Sequence, residues 1–209
     1  MRKMFFLIAV ATLFLIVLPS MTQAAIVDES QDYKQGRYDI SYPQFSGIAS
    51  QEVQEKINGD MIERACKFAI EQNKPDVRTA VMRYKMYGQS DTILSFTVET
   101  YFFAGGAHGL TFLEGFTYDL QTGQRYNFTD LYQFDESARE SINQQIREQI
   151  KQRDIPTFGP FPGVSDTPQF FINKQGQPVI FFQQYEIGPY VIGIQKFAVT
   201  AEDKKLMLK

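Results

Sequence analysis

The sequence predicts an α+β fold: a mostly antiparallel sheet with two main helices packed on it. Two observations predict it. Segments of apolar–polar alternation follow one another with only turn-length breaks, the pattern of hairpins. Helical spacing of apolar residues occurs in only two stretches, 51–72 and 136–153, and these do not alternate with single strands as in a parallel-sheet protein. With 209 residues, 44% of them hydrophobic, the chain can bury a sizeable core.

Tyr38-Asp39-Ile40-Ser41-Tyr42 alternates and reads as the first strand, ended by Pro43. Ser50 suits an N-cap, and Glu52 sits in the positive field of the first helical turn. Val53, Ile57, Met61, Ile62, Ala65, Phe68 and Ala69 then recur at helical spacing. Asn73, Lys74 and Pro75 end that helix. A long hairpin follows. Thr79–Tyr87 places Ala80, Met82, Tyr84 and Met86 on one face, and Thr92–Phe103 does the same with Leu94, Phe96, Val98 and Phe102. After Gly105-Gly106-Ala107-His108-Gly109, the residues Leu110, Phe112, Phe116 and Tyr118 mark another strand. Asp119 and Gly123 suit a tight turn, and Arg125–Phe128 reads as a returning strand. Asp135 caps the second helix, whose Ala138, Ile142, Ile146 and Ile150 form a narrow stripe. Residues 155–168 hold four prolines and two glycines and read as a long loop. Gln169–Asn173, Pro178–Gln184 and Gly193–Thr200 are the closing strands. All of these strands are expected in one common sheet.

The first 24 residues read as an export signal, so the chain is expected to act outside the cytoplasm, extracellular or in the cell envelope. Arg2 and Lys3 precede a run of 15 apolar residues, Met4–Leu18, which is short for a membrane span. Thr22-Gln23-Ala24 fits a cleavage site, giving Ala25 as the new N-terminus; an uncleaved anchor is the alternative. The expected organisation is a leader at 1–24, an α+β subdomain at 25–105, and a second at 106–209 sharing a core with the first. Loss of Arg2 and Lys3 lowers the basic count from 21 to 19 against 24 acidic residues, a net charge of −5. That acidity argues against a nucleic-acid partner. The single cysteine, Cys66, is expected to be buried as a small hydrophobe, with an intermolecular disulfide as the alternative.

The sequence carries little catalytic signal. His108 is the only histidine, so no metal site or cofactor is expected, and no serine sits in a nucleophile-elbow motif. Glu99, Glu114, Asp119, Asp130 and Glu186 leave open a paired-carboxylate hydrolase acting on envelope polymers, but no spacing singles out two of them. Asn127-Phe128-Thr129 is a formal glycosylation sequon in a strand-like context. Phe158, Phe161, Tyr185 and Tyr190 fall beside Pro and Gly in loops, where aromatic rings give contact area at low entropic cost. Gly105–Gly109 and Tyr185–Gly193 both interrupt strands. His108 is therefore expected to hydrogen-bond Glu186, a tyrosine or a carbonyl of the later segment. Two readings of that contact follow: a buried polar clasp joining the halves, or a ligand cleft flanked by Phe158 and Phe161. The candidate ligand-binding residues are His108, Phe158, Phe161, Tyr185, Glu186 and Tyr190.

Taken in order, Gly105–Gly109, Asp119, Thr122-Gly123, Phe128-Thr129-Asp130-Leu131-Tyr132, and Tyr185-Glu186-Ile187-Gly188-Pro189-Tyr190 with Gly193 resemble a paired family of extracytoplasmic domains of unknown function. That pair forms the outer part of the lysozyme-sensing anti-sigma-V factor and precedes the catalytic domain of a peptidoglycan deacetylase. The resemblance spans roughly residues 30–200. Three residues precede the apolar run, and no deacetylase domain is expected after Lys209. The resemblance therefore implies the extracytoplasmic module alone, with no sigma factor as partner. Its expected role is non-catalytic binding of peptidoglycan, of another envelope component, or of a lysozyme-like protein. A structural envelope protein without ligand is the remaining alternative.

Overall fold

A computed structural model describes residues 26–202. The expected leader, 1–24, and the expected terminus Ala25 lie outside the described residues. In chain order the elements are β1 (Val27–Gln35), β2 (Tyr38–Ser46), α1 (Gln51–Glu71), β3 (Thr79–Gln89), β4 (Ile93–Phe103), β5 (Leu110–Asp119), α2 (Phe128–Leu131), α3 (Glu136–Gln152), β6 (Phe170–Ile172), β7 (Pro178–Phe182) and β8 (Gln195–Ala198). The α+β class holds, with mostly antiparallel pairing and two main helices. The strands divide, however, into a five-stranded sheet, β1-β2-β3-β4-β5, and a three-stranded sheet, β6-β7-β8, rather than one common sheet. Only β2 and β3 pair in parallel, because α1 carries the chain back between them.

The α1 layer follows from its sequence. Ser50 accepts the Val53 N–H and caps the helix. Val53, Ile57, Met61, Ala65 and Phe68 form its buried stripe. They pack on Ala80, Met82, Leu94, Phe96, Val98, Phe116 and Tyr118, the apolar face expected for the hairpin extended by β5. Cys66 corrects the sequence reading: it is exposed, one residue and thus about 100° around the helix from buried Ala65. Ile62 and Ile70 share its outward side and are also exposed.

The opposite face of the five-stranded sheet carries small and hydroxyl residues. Ser95, Thr97 and Thr117 are buried polar side chains there. Strand β6 lies across them. A Cβ on Gly115 would stand 1.8 Å from the Phe170 carbonyl oxygen, and one on Gly88 would stand 2.8 Å from that of Ile172, so side chains at these positions would push the second sheet away. Ser95 Oγ accepts the Ile172 N–H at 2.8 Å, donates to the Phe116 carbonyl at 3.2 Å and meets Thr117 Oγ1 at 2.9 Å. These bonds satisfy a hydroxyl that would otherwise be costly to bury. Phe171, Val179 and Phe181 join Leu113 in the same layer.

The outer face of the three-stranded sheet, with Phe170, Ile172, Ile180, Phe182 and Phe197, meets Ile142 and Ile146 of α3. Asp135 caps α3 by accepting the Ala138 N–H. The layers therefore run α1, five-stranded sheet, three-stranded sheet, α3. Strand β5 lies beyond the expected 105/106 boundary yet pairs along its length with β4. Arg125–Phe128 does not form a strand: Arg125 makes a single bridge to Tyr118, and Phe128 opens α2. At the sequon, the Asn127 N–H donates to the Asp130 carboxylate at 2.8 Å, which fixes the entry to that helix.

Candidate functional site

The chain leaves β4 through Gly105 and Gly106, whose φ values of 100° and 91° only glycine adopts readily. This turn sets His108 out on the surface. Its ring lies nearly parallel to Tyr190, with centroids 3.7 Å apart at 18°. Tyr185 completes the group: its hydroxyl meets His108 Nε2 at 3.2 Å, and its ring centre is 5.7 Å from that of Tyr190. His108 Nδ1 lies 3.1 Å from the Gly109 carbonyl, which can only accept. Nδ1 therefore carries a proton, and in the neutral imidazole Nε2 accepts from the Tyr185 hydroxyl.

The later segment is held at several points. Tyr185 has φ 65°, a left-handed conformation that is strained for a bulky residue and costs about 1–3 kcal/mol. The flanking contacts fix it. The Gln183 N–H donates to Glu186 Oε2 at 2.6 Å, and the Glu186 N–H donates to the Gln183 carbonyl at 3.1 Å. Gln183 also uses its side-chain amide to replace a neighbouring strand for β5: Oε1 accepts the Leu113 N–H at 3.0 Å, and Nε2 donates to the Leu113 carbonyl at 2.7 Å. Gln184 Oε1 accepts the Thr111 N–H at 2.8 Å. Pro189 then leads into a single 3-10 turn, Tyr190–Ile192. The strained tyrosine is thus anchored to the edge of the other sheet.

Of the candidate residues, the structure brings together His108, Tyr185 and Tyr190. Glu186 closes its own turn. Phe158 is 66% exposed, and its N–H donates to the Ile187 carbonyl at 3.1 Å, so its loop runs along the same segment. Phe161 turns the other way and packs edge-on against Phe182 at 5.3 Å, inside the α3 core. The contact between His108 and the later segment is not a buried clasp: both His108 and Tyr185 are exposed.

Sequence reasoning missed the two glutamines, which read as the tail of a strand, and a charged cleft beside them. That cleft, about 310 Å³, is lined by Arg64, Lys67, Thr100, Phe112, Glu114 and Gln183, among others. Glu114 lies between two guanidinium groups, Arg64 at 2.6 Å and Arg125 at 3.0 Å. Arg125 also covers the Phe116 ring at 4.0 Å. Tyr118 donates to the Asp60 carboxylate, and burial together with that carboxylate pushes its phenol far above the ordinary value. Asp119 accepts from the Gln121 and Thr122 N–H groups and from the Tyr126 hydroxyl. Among the described residues no cluster of His, Cys, Asp or Glu could hold a metal ion, and no helix is long and apolar enough to cross a membrane.

Comparison with known proteins places these regions. Residues 27–111 match the family model described as deacetylase PdaC, and residues 129–202 match that of a protein family of unknown function, DUF3298. No curated protein matches the sequence. A DUF3298 family member from Bacteroides fragilis superposes with a TM-score of 0.63 at 12% identity, over 85% of this chain and 91% of that one. A DUF3298 family protein from Pseudomonas aeruginosa gives 0.54 at 14% identity, over 84% and 89%. At such identities the likeness is one of fold. The group of three rings draws on both regions, His108 from the first and Tyr185 with Tyr190 from the second, and the chain thus pairs a PdaC-like region with a DUF3298-like one, the arrangement of paired domains of unknown function that its ordered motifs resemble.

Proposed function

We propose that this chain is a non-catalytic binding module of the cell envelope, and that the surface formed by His108, Tyr185 and Tyr190 takes a glycan of the cell wall. The observation that carries the reading is an exposed ring platform held by contacts within the chain: His108 stacked on Tyr190 at 3.7 Å and hydrogen-bonded to Tyr185 at 3.2 Å. A sugar presents C–H groups on its faces and hydroxyls at its rim. Flat rings meet the faces, while a phenol and an imidazole meet the rim. Pre-ordering removes part of the entropic cost of binding, and the strain at Tyr185 is consistent with a backbone constrained for function.

Two further observations support the reading. The export signal expected at residues 1–24 would deliver the chain to the envelope. Four of the carboxylates that a hydrolase could recruit have structural partners: Glu114 two arginines, Asp119 its turn and Tyr126, Asp130 the start of α2, and Glu186 the Gln183 N–H.

Co-sedimentation with insoluble peptidoglycan, run beside capture on immobilised lysozyme, tests the proposal. The protein is expected to pellet with peptidoglycan, and Tyr190→Ala to weaken that by at least about tenfold, the loss of one well-packed aromatic contact. Retention by lysozyme without retention by peptidoglycan would replace the glycan with a protein ligand. Release of soluble fragments from the wall would contradict the non-catalytic reading.

A further inference from the structure

The five-stranded sheet has two edges, and they are treated differently. At β5 the Gln183 and Gln184 side chains, the Tyr126 N–H and the Arg125 guanidinium occupy backbone groups of the edge. At β1 no strand lies beyond among the described residues. Strand β1 is nine residues long, every one of them exposed, contains no proline, and pairs with β2 in unbroken register, Pro43 of β2 standing opposite Ser30. A long regular edge of this kind is a ready template for a further strand.

We propose that β1 pairs with β1 of a second copy, antiparallel, on a two-fold axis through Gln31. Strand β1 carries Asp28, Glu29 and Asp32 against the single Lys34, and the register is the one that brings each Lys34 to a carboxylate with the whole strand apposed. With the axis at Gln31, Asp28 of each copy faces Lys34 of the other, Ser30 faces Asp32, Glu29 faces Tyr33, and all nine residues are apposed. With the axis at Asp32, that aspartate faces its own copy. With the axis at Ser30, Asp28 faces Asp32 twice. Moving the axis two residues either way leaves only five of the nine residues apposed. Ser30 Oγ donates to Asp32 within one chain at 2.8 Å, so the Asp32 carboxylate meets the partner strand with its charge already hydrogen-bonded. Lys34 is 80% exposed and touches Asp39 only at 3.7 Å, which leaves it able to reach across. The inference is independent of the glycan platform, which lies on other elements.

Cysteine cross-linking of the purified chain tests register and partner together. Exposed Cys66 is first replaced by Ser so that it cannot react. Gln31→Cys then places two thiols across the axis, close enough to oxidise. Glu29→Cys places its two copies about 13 Å apart, beyond the reach of a disulfide. Both residues are exposed, so neither change disturbs the core. The expected result is a covalent dimer from Gln31→Cys and none from Glu29→Cys. Adding Lys34→Glu should slow the cross-link by about tenfold, and adding Asp28→Lys as well should restore it. No dimer from Gln31→Cys, equal dimer from both positions, or an unchanged rate with Lys34→Glu would overturn the proposal.

Discussion

The core under α1 and the layer between the two sheets lie on opposite faces of the same strands and are built from different residues. Under α1 the side chains are large: Ile57, Met61, Leu94, Phe96 and Phe116 are all essentially fully buried. Between the sheets, β3, β4 and β5 offer Gly88, Ser95, Thr97, Gly115 and Thr117, and the bulk comes from Phe171 and Phe181 of the smaller sheet. A helix meets a sheet through long side chains. A strand laid on a sheet with its backbone almost in contact needs the absence of side chains. The smaller sheet is therefore seated by what the facing strands lack, and that seating positions Tyr185 and Tyr190 against His108.

Changes in the two layers should separate them. Gly115→Ala is expected to have the largest effect, since its Cβ has no room before the Phe170 carbonyl. Loss of more than about 4 kcal/mol or failure to fold is the expectation, read by urea denaturation. A loss below about 1 kcal/mol would mean that the sheets are not held in backbone contact. Phe96→Ala, in the outer core, should cost about 3–5 kcal/mol through cavity formation and leave the inter-sheet layer intact. Ser95→Ala should cost about 1–3 kcal/mol, because it strands the Ile172 N–H without its acceptor.

A smaller effect depends on pH. Burial raises the Asp119 carboxyl, but hydrogen bonds from Tyr126 and from the Gln121 and Thr122 backbone outweigh it and hold the group below its ordinary value of 3.8. A depressed folded-state value contributes stability above the unfolded value, and that contribution is lost as pH falls through the folded one. The melting temperature should therefore fall as pH drops below about 4, and Asp119→Asn should flatten that fall. An identical slope in the variant would assign the acid sensitivity to other carboxylates, among them Asp32 and Asp39, which are also held low.

The helices and their caps were legible because buried stripes repeat every three or four residues and because Ser50 and Asp135 are strong caps. The faces of β3, β4 and β5 were legible for the same kind of reason. The division into two sheets was not. Alternation shows which residues share a face, but not that a face of Ser95, Thr97 and Thr117 is covered by a second sheet until its burial is nearly complete. Strand β1 was invisible because VDESQDYKQ has no apolar period; its only local sign is Gly36, which turns at φ 58° into β2. The contact of His108 with the later segment was foreseeable from two glycine-broken strands. The inward turn of Phe161 and the strand-like use of Gln183 and Gln184 depend on tertiary packing that no local pattern encodes.

The central claim is that a platform assembled from both halves binds wall glycan. Calorimetric titration of the wild-type chain and of Tyr190→Ala with soluble peptidoglycan fragments, with melting temperatures measured in parallel, tests it most directly. The account predicts binding by the wild type and affinity at least about tenfold weaker in the variant, with melting temperatures within a few degrees, because Tyr190 is only partly buried. Equal affinity in the two proteins, or no binding by either, would contradict it.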